Sequence, residues 1–244
     1  LLVQPIVSLT GKDEQTQFEV LLRMPKSGGE RVSTQALLSA AERYRMMPQI
    51  DRWVVSTAIG KLSEARGCVA DRDVSFSINL SGQSLGDDEI LEFIEDELKH
   101  RDVPPSALCF EITESAAVSN LDKAQAFIDR LREKGCSISL DDFGAGLSSF
   151  AYLKNFNVDT LKIDGGFIRD ITENRISESM VAAITQVAKV MELETVAEYV
   201  ETDEARELLV SLGVDYAQGH IIGVPVAVDN VLADLTRHLE ALAR

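Results

Sequence analysis

Two periods alternate along this chain. Short apolar runs closed by Gly, Pro, Asn or charged residues are predicted as strands over 2–9, 17–24, 74–81, 107–114, 137–142, 159–164, 194–200 and 215–221. Longer stretches between them repeat apolar residues every three or four positions and are predicted as helices. These cover 34–46, 49–66, 88–100, a span through Leu121, Ala124, Phe127, Ile128 and Leu131, a span through Met180, Val181, Ile184, Val187, Ala188 and Met191, then 203–212 and 228–243. Asn120 and Ser177 are expected to cap two of the helices, and Gly135 and Gly213 to stop two. A Gly- and Ser-rich loop and a short helix follow 137–142.

Strands interleaved with helices require a parallel sheet with crossover connections. About eight such units in 244 residues predict an α/β fold, a modified TIM (β/α)8 barrel. Only a short polar turn separates the first two strands, too short for a crossover, so one strand is expected to run antiparallel. No linker or low-complexity stretch interrupts residues 1–244, which read as one domain. The chain opens in strand-like sequence without an initiator Met, and is read as a domain excised from a longer protein.

Buried parallel strands should be apolar throughout. Here acids and amides recur, mostly towards the strands' C-terminal ends: Glu19, Asn79, Glu111 and Glu114, Asp141 and Asp142, Lys162 and Asp164, Glu198 and Glu201, and Gln218. In a barrel those ends share one rim, where active sites lie. Each residue alone reads as a helix cap or a solvated charge; recurrence at seven strands does not. Two carboxylates in close contact repel by roughly 4 kcal/mol at an effective dielectric near 20, so the cluster invites a divalent cation. Oxygen-only donors point to Mg2+ or Mn2+ rather than zinc, and His100, His220 and His238 lie outside the set. The neighbours Asp141 and Asp142 could serve two metals, which clamp an in-line displacement at phosphorus.

Composition narrows the partners. The net charge of −16 argues against binding a nucleic acid polymer or an anionic membrane surface. Cys68, Cys109 and Cys136 form no CxxC pair and suit a reducing cytosol. No apolar run reaches the roughly 18 residues of a membrane span, and the first residues do not form a signal peptide.

Eight segments, taken in order, resemble the EAL-domain cyclic di-GMP phosphodiesterases: QPI (4–6), EVLLR (19–23), NLS (79–81), EITE (111–114), DDFGAGLSS (141–149), LKID (161–164), AEYVE (197–201) and QG (218–219). The resemblance implies hydrolysis of cyclic di-GMP to linear pGpG by metal-activated water, with Mg2+ or Mn2+, two per site. It implies that Glu19, Asn79, Glu111 and Asp141 bind one metal and that Asp141, Asp142 and Glu198 bear on a second. Lys162 would position water or phosphate, Glu201 and Gln218 would complete the site, and Glu114 would anchor the DDFGAGLSS loop. Gln4, Leu22, Arg23, Asn79, Lys162 and Pro225 would contact substrate, with Asp51 as a guanine-edge contact. It further implies a homodimer and a cytoplasmic placement, in some members below a membrane-bound sensor, in the setting of bacterial signalling and biofilm control. Some family members are catalytically inactive receptors for the same ligand; they typically lose the EAL glutamate or the DDFG carboxylates, and Glu19, Asp141 and Asp142 are all present here. A one-magnesium barrel of another family, with Lys162 as a Schiff-base lysine, is the remaining alternative. Departures from the family pattern are Val20 for Ala, Ala145 and Leu147 for Thr and Tyr, Tyr199 for a frequent Gly, and Val224 for Arg or Lys.

Overall fold

In the computed structural model, described for residues 1–11, 16–24, 33–65, 74–146 and 151–242, eight strands close into a barrel. They are β1 (Leu2–Ser8), β2 (Thr16–Leu21), β3 (Val74–Leu80), β4 (Leu108–Thr113), β5 (Ser137–Phe143), β6 (Thr160–Ile163), β7 (Glu194–Ala197) and β8 (Tyr216–Ala217). Neighbours from β2 round to β8 pair in parallel. Strand β1 closes the ring and runs antiparallel to both β2 and β8. This is the reversed strand that the short first turn demanded; the turn residues 12–15 lie outside the described residues. A two-residue strand the periodicity did not predict, β9 (Val226–Ala227), pairs with the outer end of β1.

The helices are α1 (Thr34–Arg43), α2 (Met47–Glu64), α3 (Asp88–Arg101), α4 (Glu114–Ser119), α5 (Leu121–Glu133), α6 (Gly165–Ile168), α7 (Arg175–Val190), α8 (Asp203–Leu212) and α9 (Val228–Leu242). No described helix is long and apolar enough to cross a membrane. The main core is the shell between strands and helices, where Phe76, Ile78, Phe110, Ile112, Leu140 and Leu161 pack with Val55, Ile94, Ile128 and Ile184. At about 25 cal/mol per Å2 of apolar surface removed from water, this shell is the dominant favourable contribution to folding.

The lumen differs from the apolar interior expected of a parallel barrel. Its apolar filling is a small cluster of Ile6, Val196 and Tyr216. Gln17, Ser75, Ser77, Cys109, Ser137, Ser139 and Thr160 line a cavity of about 60 Å3 that reaches Glu111 and Lys162. In β3, Ser75 and Ser77 alternate with Phe76 and Ile78; in β5, Ser137 and Ser139 alternate with Ile138 and Leu140. That is the two-residue period of a strand with a polar inner and an apolar outer face. The polar positions are therefore not confined to strand ends.

Boundaries shift where side-chain chemistry outranks periodicity. Asn174, not Ser177, caps α7, accepting from the Ile176 amide at 3.0 Å; Ser177 is a buried residue of the first turn. Asn120 caps α5 as expected. The expected strands 194–200 and 215–221 end at Ala197 and Ala217. Beyond those points the backbones of Val200 and Gly219 nearly touch: a Cβ on Gly219 would stand 2.1 Å from the Val200 oxygen, so only glycine fits. The Gln218 backbone stays paired there, its N–H donating to the Ala197 carbonyl at 2.8 Å and its carbonyl accepting from the Val200 amide at 3.0 Å.

Candidate active site

Lys162 stands at the centre of the site. Its strand places it inward, and it is 1% exposed. Its Nζ lies 2.8 Å from both Glu111 Oε2 and Glu198 Oε1, and 3.5 Å from both Glu19 Oε2 and Asp141 Oδ1. Three strands, and the residue just after a fourth, thus deliver carboxylates to the lysine of β6. Two amides complete the array. Asn79 Nδ2 donates to Glu19 Oε1 at 2.7 Å, and Gln218 Nε2 donates to Glu19 Oε2 at 2.6 Å. Gln218 also reaches Gln4 Oε1 at 3.2 Å, and Gln4 in turn donates to the Gly223 carbonyl at 3.0 Å.

Four carboxylates around one ammonium leave three negative charges uncompensated if all are ionised. Protonation absorbs the excess. Burial, assisted by the charges of Asp141 and Glu19, pushes Glu198 up to about 7 despite Lys162. Burial also raises Glu111 well above the usual carboxylate range, with Glu19 and Asp141 adding to it. For Glu19 burial acts upward too, but Lys162 and the amides of Gln218 and Asn79 outweigh it, so its carboxyl is lowered. For Lys162 burial acts downward, and the surrounding acids, Asp141 foremost, overcome it and raise the ammonium well above its ordinary value.

Asp141, Asp142 and Glu198 each offer an oxygen, and the three oxygens lie within 4.8 Å of one another. Two successive strand residues should face opposite ways. They converge because the β5–β6 register shifts between Leu140 and Phe143 and Asp142 adopts φ +52. Asp141 Oδ1 and Glu111 Oε1 are buried without a hydrogen-bond donor. An oxygen-only set with orphaned acceptors and surplus negative charge fits a divalent cation. Burial first, then Asp141 and Asp164, raises the Asp142 carboxyl.

Above the cluster is a pocket of about 390 Å3 lined by Gln4, Arg23, Asp142, Glu201, Gln218 and Pro225, among others. A second cleft of about 730 Å3, bounded by α1, the start of α2 and Ser81–Gln83, adjoins it; Arg23 and Tyr199 line both. Glu201 stands at the rim, its Oε1 3.6 Å from His220 Nδ1. Glu114, at the start of α4, accepts from the Gly144 amide at 2.9 Å and from the Tyr152 hydroxyl. It so ties both ends of the Gly/Ser loop, whose residues 147–150, Leu147 included, lie outside the described residues.

Four of the expected substrate residues line neither space: Asn79 and Lys162, which belong to the acidic array, and Leu22 and Asp51. Asp51 is buried in α2, and its Oδ2 accepts from Ser81 N at 3.0 Å, Ser81 Oγ at 2.6 Å and Ser84 Oγ at 2.6 Å. With that oxygen taken by three donors, Asp51 braces α2 against the turn after β3 and lines neither pocket. Leu22 packs against the core, and Leu21 is the residue that faces the pocket. Leu21, Gly219 and His220 also line the pocket and were not among the expected site residues; for Gly219 the QG segment (218–219) was the signal in the sequence.

A barrel with one reversed strand and an acidic, lysine-centred site on its C-terminal rim defines the class. The EAL domain family model matches residues 1–225, and the chain belongs to this family. Cyclic di-GMP phosphodiesterase PdeB of Shewanella oneidensis is 39% identical over 225 residues, 92% of this chain and 26% of that protein. Cyclic di-GMP phosphodiesterase PdeF of Escherichia coli is 37% identical over 235 residues, 96% of this chain and 31% of that protein. The chain therefore spans between a quarter and a third of these curated relatives. Among solved structures, the PaMucR phosphodiesterase in complex with c-di-GMP superposes with a TM-score of 0.86 at 30% identity, covering 95% of this chain and 93% of that one.

Proposed function

We propose that this domain hydrolyses cyclic di-GMP to linear pGpG with Mg2+ or Mn2+, two per site, as one module of a longer protein. The observation that carries the reading is the set of acids gathered on Lys162 and opening, through Asp141, Asp142 and Glu198, into the pocket. Relatives of this family named for the same reaction support it.

Glu19, Asn79, Glu111, Asp141, Asp142 and Glu198 would hold the cations. When bound, these supply Lewis-acid charge and a water acidic enough to be deprotonated near neutral pH. Lys162 keeps a fixed ammonium beside the reacting phosphate, where negative charge develops on oxygen. Gln218 is held by Glu19 and Gln4, so its amide is oriented before substrate arrives. Arg23 at the mouth offers a planar fork to the second phosphate. Glu201 at the rim is assigned to accept a proton or hydrogen bond from water. Water adds to one phosphorus, the P–O3′ bond breaks, and the freed 3′ oxygen takes up a proton. The test is purified domain with Mn2+ or Mg2+ and cyclic di-GMP, with pGpG separated from substrate and a chelator control. Appearance of pGpG only with metal is expected. Binding without turnover would identify a receptor instead, and neither binding nor turnover would sink both readings.

A further inference from the structure

Tyr199 stands directly after Glu198 with φ +55, in the left-handed region that suits glycine and disfavours any residue with a Cβ. Strain of this kind persists only where surroundings hold it, and it clusters at ligand sites. Two features hold the ring. The Arg169 guanidinium carbon lies 4.0 Å from the ring centroid. Gly165, the first residue of α6, leaves the space the ring fills: a Cβ there would stand 2.2 Å from Tyr199 Cδ2. The aromatic residue and the glycine are thus coupled.

The held ring is not buried. Tyr199 is 50% exposed, and with Arg23 it is one of the two residues shared by the pocket over the acids and the cleft beside α1. A two-base ligand with a phosphate at the cluster and a base in each space would pass this ring. An aromatic face at such a place stacks a base without regard to its hydrogen-bonding edge.

We infer that Tyr199 is a substrate-binding residue, a platform on which one purine base of the cyclic dinucleotide stacks between the two pockets. The inference rests on the phosphodiesterase reading. Its test compares wild type, Tyr199→Phe and Tyr199→Gly on cyclic di-GMP, and on an analogue with 2-aminopurine in place of one guanine. Stacking quenches that fluorophore on rapid mixing, before turnover. Wild type and the Phe variant should quench; the Gly variant should lose most of the quench. Its KM should rise about tenfold, within the range of one base–aromatic stack, with kcat changed less than twofold. Its melting temperature should hold or rise, since glycine accepts the positive φ. Wild-type KM and quench in the Gly variant would overturn the inference. Tighter binding by that variant would overturn it too, marking the ring as an obstruction. Failure of the wild type itself to bind or hydrolyse would instead bring down the phosphodiesterase reading, and this inference with it.

Discussion

Lys162 shows how little a residue type says before its neighbours are known. A lysine in a strand reads as a surface charge, yet here it is among the most buried side chains of the described residues and holds four acids together. Removing one partner of a buried charged set leaves the rest uncompensated. Lys162→Met is therefore expected to destabilise the metal-free protein by about 3–5 kcal/mol and to lower turnover by about 100- to 1000-fold. Urea unfolding with and without Mn2+ and a turnover assay read both effects, and unchanged metal-free stability would contradict the charge arrangement. Glu19 is a different case, lowered and hydrogen-bonded by Asn79 and Gln218. Glu19→Ala should cost at least about 100-fold in turnover while circular dichroism stays native. Near-normal activity would remove Glu19 from the cation site.

Elements decide where these residues point. The approach of Asp142 to Asp141 depends on a register shift and one positive φ in β5, features that no spacing in DDFG announces. Asp51, expected as a base contact, is held in α2 with its Oδ2 accepting from Ser81 and Ser84, which braces the helix. Asp51→Ala leaves three donors without their acceptor and should destabilise by about 3 kcal/mol, with turnover per folded molecule retained. Loss of substrate affinity at unchanged melting temperature would restore the base-contact role. The cap of α7 is testable in the same way. Asn174→Ala should cost about 1 kcal/mol in a denaturant titration. Unchanged stability in Asn174→Ala would contradict the assignment.

Across the whole molecule the acids act as one proton reservoir. Glu198 titrates near 7 when folded, and Glu111 is raised as well, chiefly through burial. A carboxyl whose folded pKa lies above its unfolded value favours the folded state at low pH. Its contribution is complete below the unfolded value of about 4.5 and is lost as pH rises to about 7. Cations must displace these protons. The melting-temperature increase given by Mn2+ should therefore be larger at pH 8 than at pH 6, with proton release in calorimetry run in two buffers. A pH-independent increase would show that the acids are already ionised.

The sequence by itself determined the barrel, its reversed first strand and the acidic rim, because strand and helix periods and the short first turn are local properties of the chain. It also marked, as breaks in apolar runs, the acids that gather on Lys162, together with Glu114 and Asp164, which serve a loop and a helix cap instead. What only the tertiary structure decided is how those residues meet. The polar lumen through Ser75, Ser77 and Ser139, the burial of Lys162, the bracing role of Asp51 and the ring of Tyr199 over Gly165 all arise from contacts between segments distant in sequence. The physical reason is that a strand's period fixes alternation but not which face turns inward; closure of the sheet fixes that, and with it which charges must share one small volume.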